Sequence, residues 1–136
     1  AIKPGVSWAS LDRLAAETLT EGLIRLGLLS GSVEKALASG QYRRFYMHKF
    51  GHWLGLDVHD VGAYTQHNAS RTLEPGMVFT VEPGLYIDHN EPDVDPRWQG
   101  IGVRIEDNIL VTDSGATVLT AALPRDVDGI ESITAR

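Results

Sequence analysis

The chain has 136 residues, of which 43% are hydrophobic, with a formal net charge of -6 and no cysteine. This is the size and composition of one globular domain with a substantial core, while the acidic balance, with no basic cluster larger than Arg43-Arg44, argues against binding nucleic acid, which requires a cationic face. The lack of cysteine removes disulfides, thiolate zinc sites and cysteine nucleophiles.

That cysteine usage fits a reducing, cytoplasmic setting. No apolar run approaches the ~18 residues of a membrane span, and the N-terminus carries no signal-peptide pattern. The expectation is a cytoplasmic globular protein with neither nucleic acid nor membrane as a partner.

In chain order, Pro4-Gly5 marks a turn and Ser7 is a candidate helix cap. Leu11, Leu14, Ala15, Leu19, Leu23 and Leu26 then recur at helical spacing, with Glu17 and Glu21 off that stripe. The acidic residues ahead of His48 (Asp12, Glu17, Glu21 and Glu34) all lie on helical segments and mostly face solvent by pattern. A second short helix is predicted across Val33 to Ala38, between Ser32 as cap and Ser39-Gly40 as stop. Phe45-Tyr46-Met47 reads as a short strand entering a glycine-rich histidine loop, and residues 65–71 as an exposed polar connection.

Strands are predicted over 77–81 and 85–87 around Pro83-Gly84, then over 101–105, 109–112 and 117–119, with Asp113-Ser-Gly115 as a hairpin turn. Residues 88–99 form an acidic, proline-bearing loop, and the tail after Pro124 shows little periodicity. Helices first and strands afterwards indicate an α+β fold with an antiparallel sheet.

The chemistry concentrates in Tyr46-Met-His48-Lys-Phe-Gly-His52-Trp-Leu-Gly-Leu-Asp-Val-His59-Asp60 and in two glutamates that each close an apolar run, Glu82 and Glu106. His48 and His52 are four apart, but Lys49 stands where a zinc-protease helix needs its glutamate, and Gly51 and Gly55 make a helix costly there. On their own the histidines also read as hydrogen-bonded structural residues, and Glu106 as the partner of Arg104 two positions away. Three histidines in a glycine-punctuated loop favour a ligand site instead, because glycine admits close backbone approach. Buried carboxylates at strand ends call for a cation or another partner.

One imidazole with two carboxylates suits Mn²⁺, with Zn²⁺, Co²⁺ or Fe²⁺ also compatible. Two carboxylates can also serve a pair of ions roughly 3.5–4 Å apart. With no G-x-S-x-G elbow and no cysteine, activated water is the most economical nucleophile. Two divalent ions are under-compensated by Glu82 and Glu106 alone, so further carboxylates are expected from elsewhere.

Three ordered motifs now stand together: Met47-His48-x-x-Gly51-His52-Trp53-Leu-Gly-Leu-Asp-Val-His59-Asp60; Thr80-Val-Glu82-Pro-Gly-Leu-Tyr86; and Gly102-Val-Arg104-Ile-Glu106-Asp107. They closely resemble the C-terminal half of the catalytic domain of aminopeptidase P (Xaa-Pro aminopeptidase), a pita-bread metallopeptidase related to prolidase and methionine aminopeptidase. The resemblance covers most of the chain and implies the C-terminal portion of a pita-bread fold, with the N-terminal helices packed on a curved antiparallel sheet. It implies a metal pair held by two Asp, one His and two Glu, in which His52, Glu82 and Glu106 are the ligands present and both Asp lie upstream.

It further implies that His48 and His59 bind substrate and assist proton transfer. Glu82 would accept the proton of the attacking water, and Tyr86 and Arg104 would organise the site. Lys49-Phe50 departs from the family pattern, in which glycine often follows the first histidine. The implied reaction is hydrolysis of an N-terminal Xaa-Pro bond by a metal-bridging hydroxide, with Mn²⁺ as the favoured ion.

The implied partners are peptides with proline second, and the implied assembly is a homodimer or homotetramer. Residues 1–136 read as an incomplete catalytic domain, inactive in isolation and binding at most one ion weakly. Competing readings are a prolidase, a non-catalytic peptide- or protein-binding relative, and a metal-free hydrolase of the creatinase type. Retention of both glutamates disfavours the last two.

Overall fold

The structure, a computed structural model, describes residues 1–135. Ser7 accepts a hydrogen bond from the Ser10 amide and starts helix α1, Trp8–Arg25. Its buried positions are Trp8, Leu11, Ala16, Thr20 and Leu23, whereas Leu14 and Leu26 are exposed. The inward stripe is therefore rotated from the leucine pattern of the sequence, with Thr20 taking a place that no leucine marked. Helix α2, Val33–Ser39, is capped by Ser32 and ends at Gly40, whose φ of 74° supplies the left-handed stop.

The expected strand at 45–47 does not form. Gln41–Arg44 is a 3-10 turn, and the amides of Phe45 and Tyr46 both donate back to the Tyr42 carbonyl. Phe45 and Tyr46 are buried and Met47 is exposed, but the backbone hydrogen bonds of Phe45 and Tyr46 belong to a helical turn. Residues 65–71 are not a plain connection either. They form a hairpin of β1 (Thr65–Gln66) and β2 (Ala69–Ser70) around His67-Asn68, both at positive φ, as a tight two-residue turn requires. The tail forms α3, Val127–Thr134, capped by Asp126, with no buried residue. A one-sided helix of two turns containing Gly129 leaves little periodic signal.

The remaining strands are β3 (Val78–Val81), β4 (Gly84–Tyr86), β5 (Gly102–Arg104), β6 (Asp107–Val111) and β7 (Ala116–Val118). β6 pairs antiparallel with β3 on one side and with β7 on the other, and β4 pairs antiparallel with β5. The two ladders share one register. Val81 faces Asp107 at the end of the first, and Gly84 faces Arg104 at the start of the second. Pro83 has no N–H to donate, so the ladder breaks there and the sheet bends. The residues that the common register sets opposite each other at the break are Glu82 and Glu106.

On the other edge of β3, the histidine segment lies as an extra extended strand. Leu54 donates to Val78 O, Thr80 to His52 O and Glu82 to Phe50 O, at 3.1, 2.9 and 2.7 Å. Under it sits an aromatic floor in which Trp8 meets Phe50 and Trp53 at ring-centroid distances of 4.6 and 4.5 Å and Phe79 at 5.3 Å. Leu11, Leu73, Ile109 and Val111 complete this core, while a second one joins Leu23, Leu29, Ala36, Phe45, Ile87 and Val94. None of the described helices is long and apolar enough to cross a membrane.

Candidate metal centre

Gly51 is required for the histidine segment to lie against β3, because a Cβ there would run into the Thr80 carbonyl. Glycine thus serves close approach to the chain's own backbone. At Gly55 a Cβ would meet the Asp60 carboxylate, which folds the 55–60 loop back on itself. Asp12 on α1 fastens the start of the segment. Its carboxylate bonds Lys49 Nζ at 2.6 Å and the Phe50 amide at 3.3 Å, so it is not the idle surface acid its helical position suggested.

His52, Glu82 and Glu106 converge: one ligand atom from each lies within 4.8 Å of the other two. His52 Nδ1 sits 2.9 Å from the Trp53 carbonyl. A carbonyl only accepts, so Nδ1 carries the proton and Nε2 presents a lone pair. That lone pair faces Glu82 Oε1 at 3.1 Å, with side-chain exposures of 18% and 13%. Two electron-rich atoms at that distance, with a second carboxylate beside them, repel unless a cation or a proton lies between. The donor set fits a divalent ion, and the Nδ1 hydrogen bond is the kind that orients a ligating imidazole.

Thr80, which the sequence reading did not single out, ties two of these groups together. Its buried hydroxyl accepts from the His52 amide at 2.9 Å and donates to Glu82 Oε1 at 3.0 Å. The available signal was its position two residues before Glu82, hence on the same strand face. Glu82 Oε2 faces Arg104 Nε at 3.7 Å. Arg104 therefore turns to Glu82, not to Glu106.

The other expected site residues form an adjoining chain. Arg104 Nε donates to the Tyr86 hydroxyl at 2.7 Å, and that hydroxyl lies 3.0 Å from His48 Nε2. His48 Nδ1 is 2.7 Å from the Lys49 carbonyl, so it too is the protonated nitrogen and Nε2 accepts from the phenol. The ladder explains the reach. Gly84, which pairs with Arg104, leaves space for the Tyr86 ring to fold over it. His59 lies on the exposed 55–60 loop, its ring 4.5 Å from that of His52 and nearly perpendicular to it.

Residues 1–113 match the profile of Metallopeptidase family M24. The chain belongs to this family. It is 50% identical over 130 residues to the Xaa-Pro aminopeptidase of Haemophilus influenzae, a match covering 96% of this chain and 30% of that protein. It superposes on the aminopeptidase PepP of Pseudomonas aeruginosa with a TM-score of 0.94 at 49% identity, covering 98% of this chain and 30% of that one. A zinc-substituted Escherichia coli aminopeptidase P in complex with product matches with a TM-score of 0.89 at 45% identity, over 99% of this chain and 31% of that one. The M24 chain described here therefore spans about a third of the length of the relatives it matches. The aminopeptidase P structures it superposes on share the pita-bread fold that its motifs implied.

Proposed function

We propose that this chain is the ligand-bearing part of a dinuclear metallo-aminopeptidase that hydrolyses N-terminal Xaa-Pro bonds. The observation that carries the reading is the convergence of His52 Nε2 with the carboxylates of Glu82 and Glu106. The names of the relatives, Xaa-Pro aminopeptidases, supply the substrate class.

His52, Glu82 and Glu106 would hold the metal, with Mn²⁺ favoured by the oxygen-rich donors and Zn²⁺ or Co²⁺ compatible. When bound, divalent ions supply Lewis-acid activation of water and of the scissile carbonyl. Glu82 would accept the proton of the attacking water, with its carboxylate oriented by the Thr80 hydroxyl and facing His52. His48 presents Nε2 to the same region, where it accepts a hydrogen bond from the Tyr86 phenol while Arg104 donates to the phenol oxygen. This pair is suited to deliver a proton to a departing proline nitrogen. His59, beside His52 on an exposed loop, would contact substrate; its ring lies 4.5 Å from that of His52.

Two carboxylates balance two of the four charges that a pair of divalent ions brings. Further carboxylates are needed, and the resemblance to aminopeptidase P implies that they are two aspartates outside residues 1–136. The test is hydrolysis of an Xaa-Pro-Yaa peptide with added Mn²⁺, by the 136-residue chain and by the protein at its natural length. Turnover is expected only from the latter; robust turnover by the 136 residues alone would overturn the shared-site assignment. Failure of the natural-length protein to cleave any Xaa-Pro peptide would overturn the function. Comparing an Xaa-Pro dipeptide with longer peptides separates an aminopeptidase from a prolidase.

A further inference from the structure

Glu82 is braced by Thr80 and faces Arg104, but among the described residues the Glu106 carboxylate receives no hydrogen bond and no ion pair. Its placement must come from its backbone. β5 ends at Arg104 and β6 begins at Asp107, so Glu106 stands in the gap between two ladders.

The first residue after that gap is clasped from outside. Arg125 grips both oxygens of Asp107, Nη2 to Oδ1 at 2.6 Å and Nε to Oδ2 at 2.7 Å. The Thr120 hydroxyl donates to Asp107 Oδ1 at 2.6 Å and accepts from the Asn108 amide at 3.1 Å. The Leu119 amide adds a bond to the Asn108 carbonyl at 2.8 Å. Successive side chains of an extended segment alternate faces, so this clasp pulls from the side opposite Glu106 without entering the site. A planar guanidinium on both carboxylate oxygens fixes direction as well as distance. Thr120 and Arg125 lie beyond residue 113, where the match to the family profile ends.

We propose that Arg125, acting through Asp107, is a positioning residue that sets where the Glu106 carboxylate stands in the cation site. The assignment rests on the metal-site reading above. The probe is Mn²⁺ alone, with free ion counted by electron paramagnetic resonance, on the protein at its natural length and well below its thermal midpoint. Arg125→Met and Asp107→Asn are each expected to weaken Mn²⁺ binding about tenfold, the lower end for loss of a group that orients a ligand. Arg125→Lys should recover part of that loss, because it restores the charge without the fork. Arg13→Met, which breaks a surface pair with Glu17 on α1, is the control expected to bind as wild type.

A purely structural role for the clasp would lower the thermal midpoint and leave Mn²⁺ affinity unchanged in both variants, and that result would overturn the proposal. Wild-type protein that binds no Mn²⁺, and so behaves like Glu82→Gln, would overturn the metal-site reading itself.

Discussion

His52 and Glu82 are held by specific side-chain and backbone contacts, whereas Glu106 is positioned by its backbone alone. Thr80 makes the sharpest case. Its hydroxyl satisfies the His52 amide and orients Glu82 together, so Thr80→Val leaves a buried donor unmet and a carboxylate oxygen loose. The expected cost is about 1–3 kcal/mol of folding stability. Divalent-ion affinity should fall roughly 10- to 100-fold. Thr80→Ser keeps the hydroxyl and should retain most of both, as isothermal titration and thermal denaturation would show.

Glu106 behaves oppositely in the metal-free protein. The common register sets it against Glu82, and like charges across a strand pair repel by about 0.2–1 kcal/mol. Glu106→Gln should therefore raise the metal-free thermal midpoint slightly while abolishing the stabilisation that Mn²⁺ gives. A metal-free midpoint that falls instead would contradict the juxtaposition.

At the scale of elements, the decisive unit is the stack formed by the histidine segment, β3 and β6. Gly51→Ala forces the segment off β3 through a backbone collision with Thr80. The expected loss is about 3 kcal/mol, the upper end for an ordinary substitution, and denaturant midpoints would measure it. The clasp on β6 has its own pH signature. The hydrogen bonds of Arg125 outweigh partial burial and hold the Asp107 carboxyl below its ordinary value of 3.8. A depressed folded-state value means stabilisation that is complete above 3.8 and lost as pH falls through the folded value. The midpoint gap between wild type and Arg125→Met should be constant near neutrality and close as the solution is acidified below pH 3.8.

The elements also show what the sequence made legible. The strands around Glu82 and Glu106 announce themselves through β-branched runs and Pro83-Gly84. The 45–47 segment misleads because burial of Phe45 and Tyr46 says nothing about where their amides bond. The β1–β2 hairpin hides because His67-Asn68 is a weaker left-handed pair than one containing glycine. Thr80 and Arg125 escape notice because their roles depend on which strands become neighbours.

For the whole molecule, two cores split the work. One seats the histidine segment on Trp8 of α1; the other joins the ends of α1 and α2 to Phe45 and Ile87. A metal held as proposed by His52, Glu82 and Glu106 would link the first core to the strand break, so its binding should be visible as global stability. At a Mn²⁺ concentration 100 times the dissociation constant the gain is about 2.7 kcal/mol. The fold class and the converging triad were legible because their motifs lie in separate, strongly patterned segments. The rotation of α1 was not, since only tertiary packing, such as that of Trp8 on Phe50 and Phe79, turns Trp8, Leu11, Ala16, Thr20 and Leu23 inward and leaves Leu14 and Leu26 exposed.

His48 and His52 each hand the Nδ1 proton to the peptide oxygen of the very next residue. Every amino acid has that oxygen, so a point mutation at position 49 or 53 cannot delete it. The choice of which ring nitrogen stays bare is thereby insulated from side-chain drift: Lys49 answers to Asp12 and Trp53 to the ring of Trp8, and neither side chain decides which nitrogen its neighbouring imidazole exposes.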